Sequence, residues 1–214
     1  KLIKKINHRI YYYLLPFLLG GITSFSLPPY NFFLINFLTF PILLFILIEA
    51  QKKPNLIWLN FKIGWLFGIG YFLLNIYWIV HSLTFEDIFK PFIPFALVLI
   101  PSFLGLFYGF ITLIVSRFKL KKDLSSILIF SITFAIVEFI RGFILGGFPW
   151  NLIVYSWANY LNFLQILSII GTYSLNLISI TIFLFPLLIV FEKKIKLKIF
   201  LLIFLIFILI CNNY

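Results

Sequence analysis

Long apolar runs alternate with short basic or polar breaks along nearly the whole chain, and the length of the runs sets its class. A helix needs about 20 apolar residues to cross the hydrocarbon core of a bilayer. Runs at roughly 10–27, 32–49, 63–81, 92–116, 124–145, 169–191 and 196–211 therefore predict about seven crossings. The last run is short and carries Lys196 and Lys198 near its start, side chains long enough to snorkel to the interface. A basic N-terminus followed by an apolar run also suits a signal peptide, but no small-x-small cleavage site follows Leu27, so residues 10–27 are read as a span. No linker rich in Ser, Gly or Pro divides the chain, which predicts one domain over 1–214. The expected fold is an all-α integral membrane protein, a polytopic bundle of about seven transmembrane helices.

The basic residues orient that bundle. Fifteen of the seventeen Lys and Arg residues fall in four clusters: Lys1, Lys4, Lys5 and Arg9; Lys52, Lys53 and Lys62; Arg117, Lys119, Lys121 and Lys122; Lys193, Lys194, Lys196 and Lys198. Successive clusters are separated by room for two crossings, so all four fall on one side. Cytoplasmic loops collect Lys and Arg, which predicts a cytoplasmic N-terminus and, after seven crossings, an outer position for Cys211 to Tyr214.

The outward connections read differently. Leu27-Pro28-Pro29-Tyr30 is a tight break, because consecutive prolines remove donors and forbid helix continuation. His81 to Pro91 holds Glu86, Asp87 and Lys90. The third connection, about 146–168, opens Gly-Gly-Phe-Pro-Trp-Asn and then shows Ser156, Asn159, Asn162, Gln165 and Ser168 at spacing three, beside Trp157, Tyr160 and Phe163. Trp and Tyr favour the headgroup level, so this stretch is expected to form an interfacial or re-entrant helix on the outer face.

Composition narrows the function classes. Hydrophobic residues make up 63% and charged residues 11%, too few charges to cover a water-soluble fold. The net charge of +11 lies in loops between apolar runs, which suits anionic lipid headgroups and gives no reason to expect a nucleic-acid partner. Ala is scarce while Phe, Ile, Leu, Lys and Asn abound, the mark of AT-rich coding, so the Phe surplus is no cofactor box. With Cys211 alone and only His8 and His81, neither an intrachain disulfide nor a metal site is expected, and no cofactor is implied. The chain opens on Lys1 rather than Met, as a piece of a longer protein would.

Few residues are candidates for chemistry. Glu138 and Arg141, at i and i+3, share one helix face within pairing distance. Charges inside a membrane are costly and face the bundle interior or water. Two roles fit: an ion pair locking helices, or a site that binds a headgroup or orders a loop. Gly64/Gly68, Gly105/Gly109 and Gly142/Gly146 are small-xxx-small pairs that let helix backbones approach, or leave a ligand groove. Gly68-Ile69-Gly70 lacks a third glycine and a strand, so it is no dinucleotide fingerprint. No nucleophile with an adjacent base is present, and Cys211 lacks the electropositive setting of a reactive thiolate.

Four stretches carry a resemblance. They are Ser24-Phe25-Ser26-Leu27-Pro28-Pro29-Tyr30; Gly64-Trp65-Leu66-Phe67-Gly68-Ile69-Gly70-Tyr71 running on to Tyr77-Trp78-Ile79-Val80-His81-Ser82; Glu138-Phe139-Ile140-Arg141-Gly142 followed by Gly147-Phe148-Pro149-Trp150-Asn151; and Gly171-Thr172-Tyr173-Ser174. In this order they resemble the membrane-embedded N-terminal half of the apolipoprotein N-acyltransferases, over about residues 10 to 191. The resemblance implies a bacterial cytoplasmic (inner) membrane enzyme that moves an acyl chain from a phospholipid donor to the α-amino group of a diacylglyceryl-cysteine on a lipoprotein acceptor. The chemistry of that family resides in an outer nitrilase-like domain with a Glu-Lys-Cys triad, and its helices anchor that domain and admit lipid. No residue here matches the triad, so no catalytic residue is expected in this chain. As substrate-binding candidates, Phe148, Pro149, Trp150 and Trp78 are expected at the outer rim where lipid enters, with Glu138 and Arg141 bracing the loop.

Three functions follow. The first is the membrane half of such an acyltransferase, served by a nitrilase-like domain in cis or in trans. The second is a truncated membrane scaffold or remnant without activity. The third, a small transporter, has least support: the chain shows no inverted repeat and few polar residues within its spans. A nitrilase-like segment encoded beyond Tyr214 separates the first two.

Overall fold

The structure, a computed structural model, describes residues 8–191 together with 198 and 199. Its described residues are helical with no strand. Five helices are long and apolar enough to cross a membrane: Phe33–Ala50, Leu56–Asn75, Asp87–Val115, Leu124–Arg141 and Thr172–Phe191. The first predicted span is shorter than these, a π-helical turn at Ile10–Leu14 leading into α1 (Leu15–Ser24). Of the predicted span 196–211 only residues 198 and 199 are described, and Cys211 lies outside the described residues.

The remaining elements follow the apolar runs, with corrected ends. α2 is Asn36–Ala50. α3 is Leu56–Asn75, entered through Pro54 and a left-handed Asn55 at φ 58°. It begins earlier than the predicted 63–81 and stops at Asn75, whose side-chain amide donates to the Tyr71 carbonyl at 2.9 Å. Residues Tyr77–Thr84 continue as a 3-10 helix instead. A second 3-10 turn, Asp87–Phe92, leads into α4 (Ile93–Val115). α5 is Leu124–Arg141, capped by Asp123, which accepts from the Ser126 amide at 3.0 Å. It ends at Arg141, four residues short of the predicted 145, with Gly142 as its C-cap.

The stretch 146–168 does not form the expected continuous helix. It contains a 3-10 turn at Ile153–Trp157 and then two single turns, α6 (Leu161–Leu164) and α7 (Leu167–Ile170). Gly147 and Asn151 both take positive φ, 75° and 57°, and Pro149 between them lacks an N–H, so helical hydrogen bonding cannot start before residue 152. α8 (Thr172–Phe183) and α9 (Phe185–Phe191) complete the last described crossing, stepping at Leu184 ahead of Pro186.

Lipid tails are as apolar as the helices, so the bundle coheres through close backbone approach and buried hydrogen bonds. A Cβ on Gly68 would meet the Gly105 Cα at 2.7 Å, and one on Gly20 would collide with the Phe67 carbonyl. These glycines bring α3 against α4 and α1 against α3. The expected packing role holds for Gly64, Gly68 and Gly105. Gly146 faces open space at φ 84° and serves the turn. Thr112 donates across to the Asn60 carbonyl at 2.7 Å, and Thr23 to the Thr39 hydroxyl at 2.8 Å. Between the helices lies an aromatic core in which Phe40 meets Phe67, Phe134 and Phe183 at ring distances of 6.1, 5.7 and 6.3 Å. Apolar side chains such as Leu38, Phe95, Ile132 and Ile136 remain exposed on the outside, as a lipid-facing surface requires.

The two ends of the bundle differ as the charge pattern implies. At one end the basic connections meet: Gln51 donates to the Phe118 carbonyl at 2.7 Å and accepts from the Leu120 amide at 3.1 Å, and Lys122 lies 4.0 Å from the Phe191 ring. At the other end the proline break, the 3-10 segments and the 147–157 stretch gather.

Candidate functional site at the aromatic end

α5 delivers Glu138 and Arg141 to its last turn, and the i, i+3 spacing lets them pair as expected. Both are 1% exposed. Arg141 Nη2 donates to Glu138 Oε2 and to the Trp150 carbonyl at 3.1 Å, while Nη1 donates to the carbonyls of Phe148 at 2.7 Å and Trp150 at 3.1 Å. The guanidinium also lies 5.3 Å from the Phe72 ring and 5.7 Å from the Phe148 ring. The Phe148 amide closes the turn by donating to the Arg141 carbonyl at 3.0 Å. A planar fork is suited to this task, because it reaches several acceptors at once where an ammonium would act as a point charge. Neither charged group presents a surface to a headgroup, so the geometry is that of a loop brace.

The brace sets the position of the rest. Tyr71, fully buried on α3, donates to the Asn151 carbonyl at 2.8 Å, fastening the loop to a second helix. Trp150, 52% exposed, turns outward and meets Phe148 at 5.3 Å and Trp78 at 5.9 Å between ring centres. Trp78 is 46% exposed and its indole N–H is held by the Asn75 carbonyl at 3.0 Å. Pro149 is exposed between them. Glu138, Arg141, Phe148, Trp150 and Trp78 thus belong to one chain of contacts, and Pro149 lies in the same loop.

Trp78 in turn lines a cleft of about 540 Å³ with Ser24, Pro28, Tyr30, Asn75 and Asn151. That volume lies within the range of roughly 300–1,000 Å³ usual for small-molecule sites. Three sequence stretches far apart in the chain meet there: the proline break after α1, the end of α3 and the loop after α5. Its wall mixes aromatic and proline surface with the hydroxyl of Ser24 and the amides of Asn75 and Asn151, a lining suited to an amphiphile. Sequence reasoning missed Tyr71, Asn75 and Asn151 as site residues, although Tyr71 and Asn151 stand at the ends of two of the quoted stretches.

Beyond the loop the chain turns inward. Trp157, expected at the interface, is fully buried, stacked on Phe183 at 5.3 Å with its N–H on Ser179 Oγ at 3.0 Å. Asn176 accepts from the Val154 amide at 2.9 Å. Two polar residues of α8 therefore hold the short 3-10 segment inside the bundle, where backbone outside regular α-helix is tolerated only with such partners. Ser156 is buried while Asn159, Asn162, Gln165 and Ser168 are exposed, so the polar residues at spacing three do not form one stripe.

The fold and this site define a class: a polytopic α-helical membrane protein with an amphiphile-sized cleft at one end of its bundle. Comparison narrows the class. The family profile for the apolipoprotein N-acyltransferase N-terminal domain matches residues 19–183. The chain is 34% identical over 176 residues to the apolipoprotein N-acyltransferase of Brucella melitensis, covering 79% of this chain and 33% of that protein. It is 32% identical over 179 residues to the Rhizobium rhizogenes enzyme of the same name, covering 81% and 33%, and 32% identical over 171 residues to that of Rhodopseudomonas palustris, covering 79% and 32%. The chain belongs to the apolipoprotein N-acyltransferase family as its N-terminal membrane domain. It spans about a third of the length of the curated relatives it matches.

Proposed function

We propose that this chain is the lipid-admitting membrane domain of an apolipoprotein N-acyltransferase in the bacterial inner membrane. In this reading the complete enzyme transfers an acyl chain from a phospholipid donor to the N-terminal diacylglyceryl-cysteine of a lipoprotein acceptor. A nitrilase-like domain, in cis or in trans, supplies the catalytic triad. The present chain forms a single transmembrane domain, with its basic end and N-terminus cytoplasmic and seven crossings in all. It anchors the catalytic domain at the outer face and offers lipid the cleft beside Trp78.

The observation that carries this reading is the convergence of three separated sequence stretches on that cleft, at the end opposite the basic loops. An acyl chain arrives from the side of a bundle, and the exposed rings of Trp78 and Trp150 lie where the headgroup level would fall. Phe148, Pro149 and Trp150 shape the rim. Glu138 and Arg141 act through the loop they hold rather than by touching lipid.

A phospholipid with a photoreactive group near its headgroup tests the reading. The chain is reconstituted in vesicles containing the probe, and adducts are mapped by peptide mass spectrometry. Adducts concentrated at 24–30, 74–78 and 147–151 are expected, and Trp78→Ala with Trp150→Ala should reduce them. Labelling spread evenly over the lipid-facing helices would overturn the assignment of the cleft. Acyl transfer to a diacylated peptide by the isolated chain would overturn the assignment of catalysis to another domain.

A further inference from the structure

The basic end of the bundle carries a second cleft, also of about 540 Å³, lined by His8, Tyr13, Lys53, Trp58 and Lys62 among others. An apolar groove of about 430 Å³ adjoins it, sharing Tyr13 and running along Ile10, Leu14 and Phe17 against Leu66 of α3. We propose that cleft and groove together bind one anionic phospholipid, its phosphodiester between Lys53 and Lys62 and an acyl chain along the groove.

Charge is the first argument. The ion pairs among the described residues join Glu49 to Lys52, Asp87 to Lys90 and Glu138 to Arg141, and none of them engages Lys53 or Lys62. Glu49, four residues before Lys53 in the chain, presents both carboxylate oxygens to Lys52 at 2.9 Å. Two cations in a concave site with no carboxylate partner among the described residues suit an external anion, and basic pockets between helices at a membrane surface bind anionic headgroups.

Shape is the second. Trp58 is 67% exposed, and exposed Trp rings favour the headgroup level. Lys53 stands 6.0 Å from the Tyr12 ring, and the His8 ring packs 4.7 Å from the same tyrosine, so two of the lining side chains rest on one buried ring. A free phosphate would find the same cations but would leave the groove unused, whereas a diacyl lipid fills both. The site needs only that the bundle spans a bilayer. It does not depend on acyl transfer and lies at the opposite end from the cleft beside Trp78.

The full chain in mild detergent is titrated with phosphatidylglycerol brominated near the headgroup end of its acyl chains, and the quenching of Trp58 is read as the difference from Trp58→Phe. Saturable quenching is expected for phosphatidylglycerol at concentrations where brominated phosphatidylcholine gives none. Lys53→Gln with Lys62→Gln should weaken it about 30-fold, from about one kcal/mol for each surface cation. Lys119→Gln with Lys121→Gln, on the neighbouring basic loop, should leave it unchanged. Equal quenching by both lipids, equal weakening by both double variants, or competition by inorganic phosphate at the lipid's own concentration would each overturn the proposal. Should Lys53→Gln with Lys62→Gln fail to fold, the two lipids on the unaltered chain still decide it.

Discussion

Replacing Arg141 by Met removes the one group that holds Glu138 and the 148–150 loop together, and the structure sets the size of the effect. Breaking a buried ion pair by deleting one partner costs about 3–5 kcal/mol, because the other charge stays buried and uncompensated. In Glu138→Met with Arg141→Met no charge is left behind. What remains is the pair of carbonyls, Phe148 and Trp150, that the guanidinium satisfied. Lost neutral hydrogen bonds of this kind cost about 1 kcal/mol each. The double variant is therefore expected to be about 1–3 kcal/mol more stable than Arg141→Met alone, although it carries one more substitution. Unfolding in mixed micelles of mild detergent and dodecyl sulfate measures the difference. Hydrogen exchange of residues 147–152 should meanwhile rise in both variants, since both release the loop. A double variant as unstable as the single one, or an exchange pattern unchanged in either, would refute the claim that Arg141 is a brace compensated by Glu138.

Other outcomes follow from the packing. Gly68→Ala puts a Cβ against backbone and should cost about 1–3 kcal/mol in the same unfolding assay, whereas Gly21→Ala, whose nearest neighbour is the Leu74 side chain at 3.4 Å, should be close to neutral. Ser179→Ala leaves the buried Trp157 indole N–H without its acceptor and should destabilise by about 1–3 kcal/mol, while Trp157→Phe with Ser179→Ala should recover part of that loss. In a Cys211→Ser background, single cysteines at Lys119 and Ile88, on opposite ends of the bundle, should react with a membrane-impermeant maleimide from opposite sides of sealed vesicles. Labelling from one side would remove the proposed topology.

The positions of the five long apolar helices were legible because hydropathy reports the length of chain needed to cross the hydrocarbon barrier. Their ends were less so. The run 63–81 is largely apolar, and nothing in its hydropathy marks the change after Asn75 from α-helix to a 3-10 segment. The pairing of Glu138 with Arg141 followed from i, i+3 spacing, but that spacing says nothing about a loop returning to the same guanidinium. The stretch after Gly146 misled for a definite reason. Polar residues at interval three suit a helix face, yet Gly147, Pro149 and Asn151 prevent a helix from starting, and Trp157 finds its partner on α8 instead of at the interface. Buried acceptors such as Ser179 on a distant helix leave no local signature.

Gln51 engages both ends of its amide with the Phe118–Leu120 connection, so the turn after α2 and the turn after α4 are stapled at two points. A bundle pinned in this way cannot spread evenly along its length. Helices parting to let a hydrocarbon tail in would have to swing from this fixed base, as the jaws of a clothes peg do, with the widest excursion at the far rim.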